Sequence, residues 1–154
     1  MFESKTTAME SLALKLLAIP AEKRDHWMRT LRDPVFTPVY NYANMDEMRH
    51  HTMKKVRKVF SERLFSVREF DTNPHNVFSS HEFVGLIDGA MAIKHTVQMN
   101  LFGGTCLALH NGRHDYLFDQ IDSLETVGCF CFTELGYGNN AMQMETTVTY
   151  DSAT

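Results

Sequence analysis

A short loop near the end of the chain combines residue types that can hold a polar cofactor. The segment TELGYGNN brings together Thr133, Gly136, Gly138, Asn139 and Asn140. Glycine lets main-chain N–H groups approach a ligand closely, and hydroxyl and amide side chains add further donors. The loop therefore predicts a nest for an anionic or carbonyl-rich cofactor. An ordinary turn between two strands is the competing interpretation, because the loop matches neither the GxGxxG nor the GxxxxGK[ST] phosphate signature.

The histidines do not have the spacing of a metal site. His50 and His51 are adjacent, so on a helix their side chains diverge by about 100°. His110 and His114 are four residues apart, but Asn111-Gly112 is expected to break the helix between them. We therefore predict no metal site, and no elbow motif supports a Ser/His/Asp nucleophile.

Three cysteines, Cys106, Cys129 and Cys131, give no even disulfide framework. Cys129 and Cys131 have CxC spacing, which places them on the same face of a strand. Buried apolar packing is the interpretation that this spacing favours. Reduced thiols indicate an intracellular compartment.

The part of the chain before the loop, which must position it, is dominated by helical patterns. We expect helices over MESLALKLLAI, which Pro20 ends, and over AEKRDHWMRTL, which carries the only tryptophan, Trp27. A third helix should begin with an Asn44 N-cap and bury a stripe on one face. That stripe consists of Met45, Met48, Thr52, Val56, Val59 and Phe60.

A long apolar stretch, HEFVGLIDGAMAIKHTVQMNLFGGTCLALHNG, follows this third helix. Ser79 or Ser80 is predicted to cap its start, Gly103-Gly104 to interrupt it and Asn111-Gly112 to end it. Asp88 within it favours an N-cap or a partnered core carboxylate over a catalytic acid. A short helix over RHDYLFDQI completes the helical part.

The hydrophobic period changes from helix to strand after this last helix. TVGCFCF alternates two faces and METTVTY is rich in β-branched residues, so strands are expected near residues 126–132 and 144–150. The predicted fold class is mainly α. A helical domain spans residues 1–121, and residues 122–154 form the start of a truncated β-domain.

Composition excludes several classes of protein. The chain is 44% hydrophobic and 22% charged with a formal net charge of -4, so no global basic field argues for nucleic acid. The basic run KKVRKVFSER is interpreted as a solvated helix face. No apolar run approaches the ~20 residues of a membrane span. Neither a signal-peptide layout nor a terminal SKL address is present in this chain.

The segment GCFCFTELGYGNNAMQMETTVTYD resembles the signature of the acyl-CoA oxidases, within the acyl-CoA dehydrogenase superfamily. The family pattern runs roughly GCFAxTELGHGSNVxGLETTATYD. The likeness covers residues 75 to 151 well, and residues 1 to 70 fit the family's N-terminal helical region loosely. The motif also departs from this pattern: Tyr137 stands where histidine is usual, and Asn139 where serine is usual. Met142 and Met144 replace smaller or branched residues.

The resemblance implies an N-terminal helical domain that leads into a central β-domain binding FAD. It assigns the flavin to Thr133, Glu134, Leu135 and Gly136, and the acyl-CoA to Gly138 and Asn139. The implied catalytic glutamate is expected beyond Thr154, so no catalytic residue is assigned within the chain.

The function implied is the N-terminal part of an FAD-dependent acyl-CoA oxidase of fatty acid β-oxidation. Such an enzyme dehydrogenates a fatty acyl-CoA at its α and β carbons, and molecular oxygen is reduced to hydrogen peroxide. The resemblance also implies a peroxisomal homodimer, and the chain alone is expected to be inactive. The alternative is a non-catalytic helical interaction module, or a degenerate remnant of the same family. Whether the chain is an oxidase or a dehydrogenase, and which acyl lengths it takes, stays open.

Overall fold

The computed structural model describes residues 19–153, which form a body of helices followed by an irregular segment. Apart from Ile19, the helix predicted over MESLALKLLAI lies outside the described residues. In chain order the helices are α1 (Ala21–Thr30), α2 (Met45–Ser61), α3 (Glu69–Thr72), α4 (Pro74–Ile87), α5 (Gly89–Thr96), α6 (Thr105–Leu109) and α7 (Asp115–Asp122). A π-helical stretch, Val97–Gly104, joins α5 to α6, and two 3₁₀ turns lie at Pro34–Phe36 and Ala141–Gln143. The mainly helical fold class is confirmed.

An aromatic cluster forms the centre of the core. Trp27 of α1 is fully buried and lies between the rings of Phe65 and Phe83, with centroid distances of 5.9 and 5.5 Å. Phe60 meets Phe65 edge to face at 5.2 Å. Because aromatic side chains bury more apolar area than any others, this cluster joins α1, α2 and α4 into one core.

Helix α2, which is the third helix predicted from the sequence, begins at the predicted Asn44 cap. The Asn44 side-chain oxygen accepts a hydrogen bond from the Glu47 amide at 2.9 Å, and the Glu47 carboxylate accepts the Ala43 amide at 2.6 Å. These bonds satisfy donors that the first turn leaves unpaired. The predicted inward stripe is buried at Thr52, Val56, Val59 and Phe60, whereas Met45 is exposed and Met48 is half-buried.

Lys55 departs from the predicted solvated face of this helix. Its side chain is 3% exposed, and its ammonium lies 2.5 Å from the Asp88 carboxylate. The other Asp88 oxygen accepts the amides of Ala90 and Met91, which begin α5. Burial raises the pKa of Asp88, but the Lys55 and main-chain hydrogen bonds outweigh burial and hold it below its usual value. Asp88 is thus both the N-cap and the partnered carboxylate that the sequence predicts.

Two predictions about the long apolar stretch are wrong. Its helix begins at Pro74, so Ser79 and Ser80 are buried within α4 and do not cap it. Proline is favoured in the first turn because the amide it lacks has no partner there. Gly103 and Gly104 do not interrupt the following helix, which continues through the π-helical stretch. A Cβ at Gly103 would lie 2.5 Å from Val67 Cγ2, so that glycine permits close packing.

The strands expected near residues 126–132 and 144–150 are not formed. Among the described residues the only β pairing is an isolated antiparallel bridge between Glu134 and Gly138. A two-stranded hairpin is marginal without further strands or a helix covering its apolar face. The side chains of Phe130, Phe132 and Val148 in these segments are exposed. The alternating sequence pattern is therefore present without the backbone ladder that defines a sheet.

Candidate functional site

The candidate site begins where the irregular segment leaves the helical body, and Gln98 fixes that point. Gln98 is buried on the π-helical stretch, and its amide nitrogen donates to the carbonyls of Thr126 at 2.7 Å and Ile121 at 3.3 Å. Its side-chain oxygen accepts the Gly128 amide at 3.1 Å. One buried side-chain amide thus satisfies two main-chain groups of the irregular segment, at Thr126 and Gly128, and one near the end of α7, at Ile121.

A close contact also holds Gly128 against the π-helical stretch Val97–Gly104. A Cβ added to Gly128 would lie 1.9 Å from Cγ of Phe102, far inside any real carbon–carbon contact. Only glycine therefore lets the backbone lie on this ring. Gln98 and Phe102 are about one turn apart, so the π-helical stretch holds the segment through one polar side chain and one aromatic side chain.

Glu134 organises the loop itself. Its carboxylate accepts hydrogen bonds from the amides of Glu145 at 2.9 Å and Thr146 at 2.7 Å, and also from the Thr146 hydroxyl. Its carbonyl accepts the amides of Tyr137 at 3.3 Å and Gly138 at 2.8 Å. The two ends of the loop are joined by this one residue. The Thr146 hydroxyl and the two amides lower the pKa of Glu134, so the carboxylate is ionised at neutral pH.

Tyr137 adds a second link across the loop. Its hydroxyl donates to the Glu145 carboxylate at 2.7 Å, and this bond raises the pKa of Tyr137. The loop carboxylates Glu134 and Glu145 are therefore both hydrogen bonded within the loop. Each stabilises the loop rather than projecting a free acid or base.

The structure brings Thr133 and Asn139 together, with the Thr133 hydroxyl donating to the Asn139 side-chain oxygen at 3.3 Å. Leu135 is fully exposed, and a Cβ at Gly136 would have open space around it. No acceptor within residues 19–153 takes the amides of Leu135 and Gly136. Gly138 has a positive φ of 57°, a left-handed conformation that glycine adopts readily.

The prediction that Cys129 and Cys131 are buried is wrong, because both are exposed. Their sulfur atoms lie 3.6 Å apart, so the two side chains do share one side of the backbone. A strand would bury that side only if a sheet packed over it, and no strand forms within the described part of the chain.

Sequence reasoning missed the residues that hold the loop. Gln98 lies in an apolar stretch, and neither its spacing nor its type indicates a contact with a segment about thirty residues later. In the sequence, Thr146 indicates β propensity alone. Gly128, within the strand expected near residues 126–132, is the residue that could have indicated this contact, because glycine in a strand suggests a close backbone approach.

Neither a cluster of metal ligands nor a membrane-spanning helix occurs among the described residues. Residues 19–153 contain no group of three or more His, Cys, Asp or Glu side chains arranged to hold a metal ion. None of their helices is both long and apolar enough to cross a bilayer.

Several curated proteins are similar to this chain. The chain is 41% identical over 80 residues to the peroxisomal acyl-coenzyme A oxidase 2 of Arabidopsis thaliana, a match covering 51% of this chain and 12% of that protein. It is 30% identical over 122 residues to the peroxisomal acyl-coenzyme A oxidase 3 of the same plant, covering 77% of this chain and 18% of that protein. An acyl-coenzyme A oxidase of Caenorhabditis elegans is 28% identical over 120 residues, 78% of this chain and 18% of its own length.

These relatives are much longer than this chain. The chain spans less than a fifth of the length of each of these relatives. No protein-family model matches the chain, and no solved structure matches it significantly. The relatives nonetheless agree in kind along most of its length. They confirm the resemblance carried by the loop motif: the chain is a relative of the acyl-CoA oxidases.

Proposed function

We propose that this chain forms part of the flavin site of an FAD-dependent acyl-CoA oxidase acting in fatty acid β-oxidation. The observation that carries the proposal is the similarity to curated acyl-CoA oxidases over about three quarters of the chain. The reaction is α,β-dehydrogenation of a fatty acyl-CoA with hydrogen peroxide as the second product. Two of these relatives are named as peroxisomal, which supports a peroxisomal location for this chain.

The donors of the loop fit the carbonyl-rich edge of a flavin ring. The amides of Leu135 and Gly136 lack an acceptor within residues 19–153, and a Cβ added at Gly136 would meet nothing within 4 Å. Thr133 is exposed, and within residues 19–153 its hydroxyl makes only the 3.3 Å bond to Asn139. Exchanging that bond for one to a flavin carbonyl would cost little, because 3.3 Å is long for a hydroxyl donor.

The residues of the loop take different roles in this proposal. Thr133 donates its hydroxyl to the ring, and Leu135 and Gly136 donate their amides. Glu134 positions these donors, since its carboxylate is already occupied by Glu145 and Thr146. Bound FAD would accept the hydride from the acyl β-carbon and pass the electrons to molecular oxygen.

The acyl-CoA side of the loop is assigned to Gly138 and Asn139. The positive φ of Gly138 turns the backbone there, and the Asn139 amide is exposed beside Thr133. Neither carboxylate of the loop is assigned as the base that removes the α-proton, because both are hydrogen bonded within the loop. A homodimer is proposed as the assembled form.

A non-catalytic interaction module is the second candidate. The exposed apolar side chains of the irregular segment favour it: Leu135, Met142, Val148 and Tyr150 are each at least 90% exposed. Such side chains suit a contact with another protein surface. The two candidates differ in one measurable property, which is flavin binding at Thr133.

The test is an equilibrium titration of the chain with FAD, followed by the flavin absorbance band. Thr133→Ser keeps the hydroxyl and serves as the matched control, whereas Thr133→Val removes it at nearly constant volume. Loss of a hydrogen bond of ~1.4 kcal/mol predicts a roughly tenfold weaker Kd for Thr133→Val. Equal affinity in all three proteins would overturn the role of Thr133. No binding by any of them would favour the interaction module.

A further inference from the structure

Two exposed thiols lie side by side just before the loop. The sulfur atoms of Cys129 and Cys131 are 3.6 Å apart, within the distance of a weak S–H···S hydrogen bond. Residues two apart share one side of an extended backbone. The intervening Phe130 instead stacks on Phe132, with ring centroids 5.2 Å apart. No side chain therefore stands between the two thiols, and both are open to solvent.

Cys106, the third thiol, is in a different environment. It is half-buried on α6 and packs against the helical core. Burial raises the pKa of Cys106, which leaves less of the reactive thiolate. The chain thus carries one screened thiol and one exposed pair, and the screened thiol is an internal reference for the reactivity of the pair.

The geometry points to Cys129 and Cys131 as a dithiol that hydrogen peroxide oxidises to an intramolecular disulfide. One thiolate attacks the peroxide, the O–O bond breaks, and a sulfenic acid and one water form. The neighbouring thiol then attacks that sulfur, and the S–O bond breaks to release the second water. In total, two thiols lose two electrons and two protons while one peroxide becomes two waters.

The second step is favoured by proximity. The sulfur atoms must move from 3.6 Å to the ~2 Å of a bond, which the adjacent and exposed side chains allow. A partner thiol held beside a nascent sulfenic acid reacts before further oxidation to the irreversible sulfinic acid. Hydrogen bonding to Cys131 raises the pKa of Cys129, so exposure and proximity, rather than acidity, distinguish the pair from Cys106. The reaction should accelerate as pH rises, because the thiolate is the reactive form.

Ring closure would also affect the candidate flavin loop, because Cys131 is two residues before Thr133. The dithiol itself does not depend on the proposed flavin function, since added peroxide is enough to oxidise it. If the proposed reaction takes place, its own peroxide would be released close to this pair. Failure of flavin binding and failure of thiol oxidation are therefore separate results.

The test treats the reduced, chelator-washed chain with one equivalent of hydrogen peroxide. The expected product is a monomer that has lost two hydrogen atoms in mass and retains one titratable thiol. Chymotrypsin cleaves after Phe130, so digestion should yield two peptides that separate only after reduction. Disulfide-linked dimers, or oxygen atoms added to single cysteines as the main product, would overturn the proposal.

Three variants make the assignment specific. Cys106→Ser should form the same disulfide at the same rate and then retain no titratable thiol. Cys131→Ser and Cys129→Ser should each lose the intramolecular product and instead accumulate sulfenic acid, which a dimedone adduct detects. An intramolecular disulfide formed by either single variant would involve Cys106 and would refute the pairing.

Discussion

Replacing Lys55 with methionine should destabilise the helical body by about 3 kcal/mol, because it leaves the Asp88 carboxylate without its cation. The ammonium and the carboxylate are 2.5 Å apart, and their side chains are 3% and 16% exposed. Breaking a buried ion pair from one side costs ~3–5 kcal/mol. The lower end applies here, because Asp88 keeps its hydrogen bonds to the amides of Ala90 and Met91.

Changes at Asp88 separate the charge from the helix cap. Asp88→Asn keeps an oxygen for the α5 amides but leaves Lys55 buried without a counter-ion, so a similar loss of ~3 kcal/mol is expected. Asp88→Ala also removes the cap, which adds ~1 kcal/mol. The double variant Lys55→Met with Asp88→Asn removes both charges and should lose less than either single change.

Urea unfolding followed by the fluorescence of Trp27 measures these differences, because Trp27 is the sole tryptophan and is fully buried. If the double variant loses the sum of the two single losses, the groups are not coupled and the reasoning is wrong. Equal stability of Asp88→Ala and Asp88→Asn would show that the cap contributes nothing. The pKa of Asp88 is lowered from 3.8 on folding. Its contribution is therefore present in full above that pH and is lost as pH falls through the lower folded pKa.

Three further changes test other parts of the structure. Gly128→Ala should lower the melting temperature by several degrees, since its Cβ would overlap the Phe102 ring. Gly136→Ala is the control, because a Cβ there meets nothing within 4 Å. Equal changes in melting temperature in the two variants would contradict the contact. Burial and a neighbouring histidine lower the pKa of His95 from 6.5 to about 3, so the unfolded chain binds a proton below pH 6.5 that the folded chain does not. Between pH 7 and 5 the free energy of unfolding should therefore fall by about 2 kcal/mol. In urea unfolding, His95→Gln should lose less stability over the same pH range, and equal losses in the two proteins would refute the assignment. Glu134→Ala should speed hydrogen exchange at the Thr146 amide, and unchanged exchange would show that the carboxylate does not hold the loop.

Local signals in the sequence correctly predicted much of the helical part. The Asn44 cap, the Asp88 cap and the short helix predicted over RHDYLFDQI, which forms at Asp115–Asp122, depend on residues within one or two turns of each other. The end of the long apolar helix before Asn111-Gly112 is equally local. The family resemblance also rests on one contiguous motif, and the similarity to curated acyl-CoA oxidases confirms that resemblance. The Ser79 or Ser80 cap failed because Pro74 is a better local start.

Only the tertiary structure decides the contacts between residues that are far apart in the chain. Lys55 reads as a solvated basic residue until Asp88, 33 positions later, lies against it. The exposure of Cys129 and Cys131, and the absence of strands around them within residues 19–153, depend on which surfaces cover the segment. Gln98 holds that segment through the Thr126 carbonyl and the Gly128 amide. Alternation and β propensity describe one chain segment at a time, whereas a sheet or a buried charge needs a partner that no local pattern names.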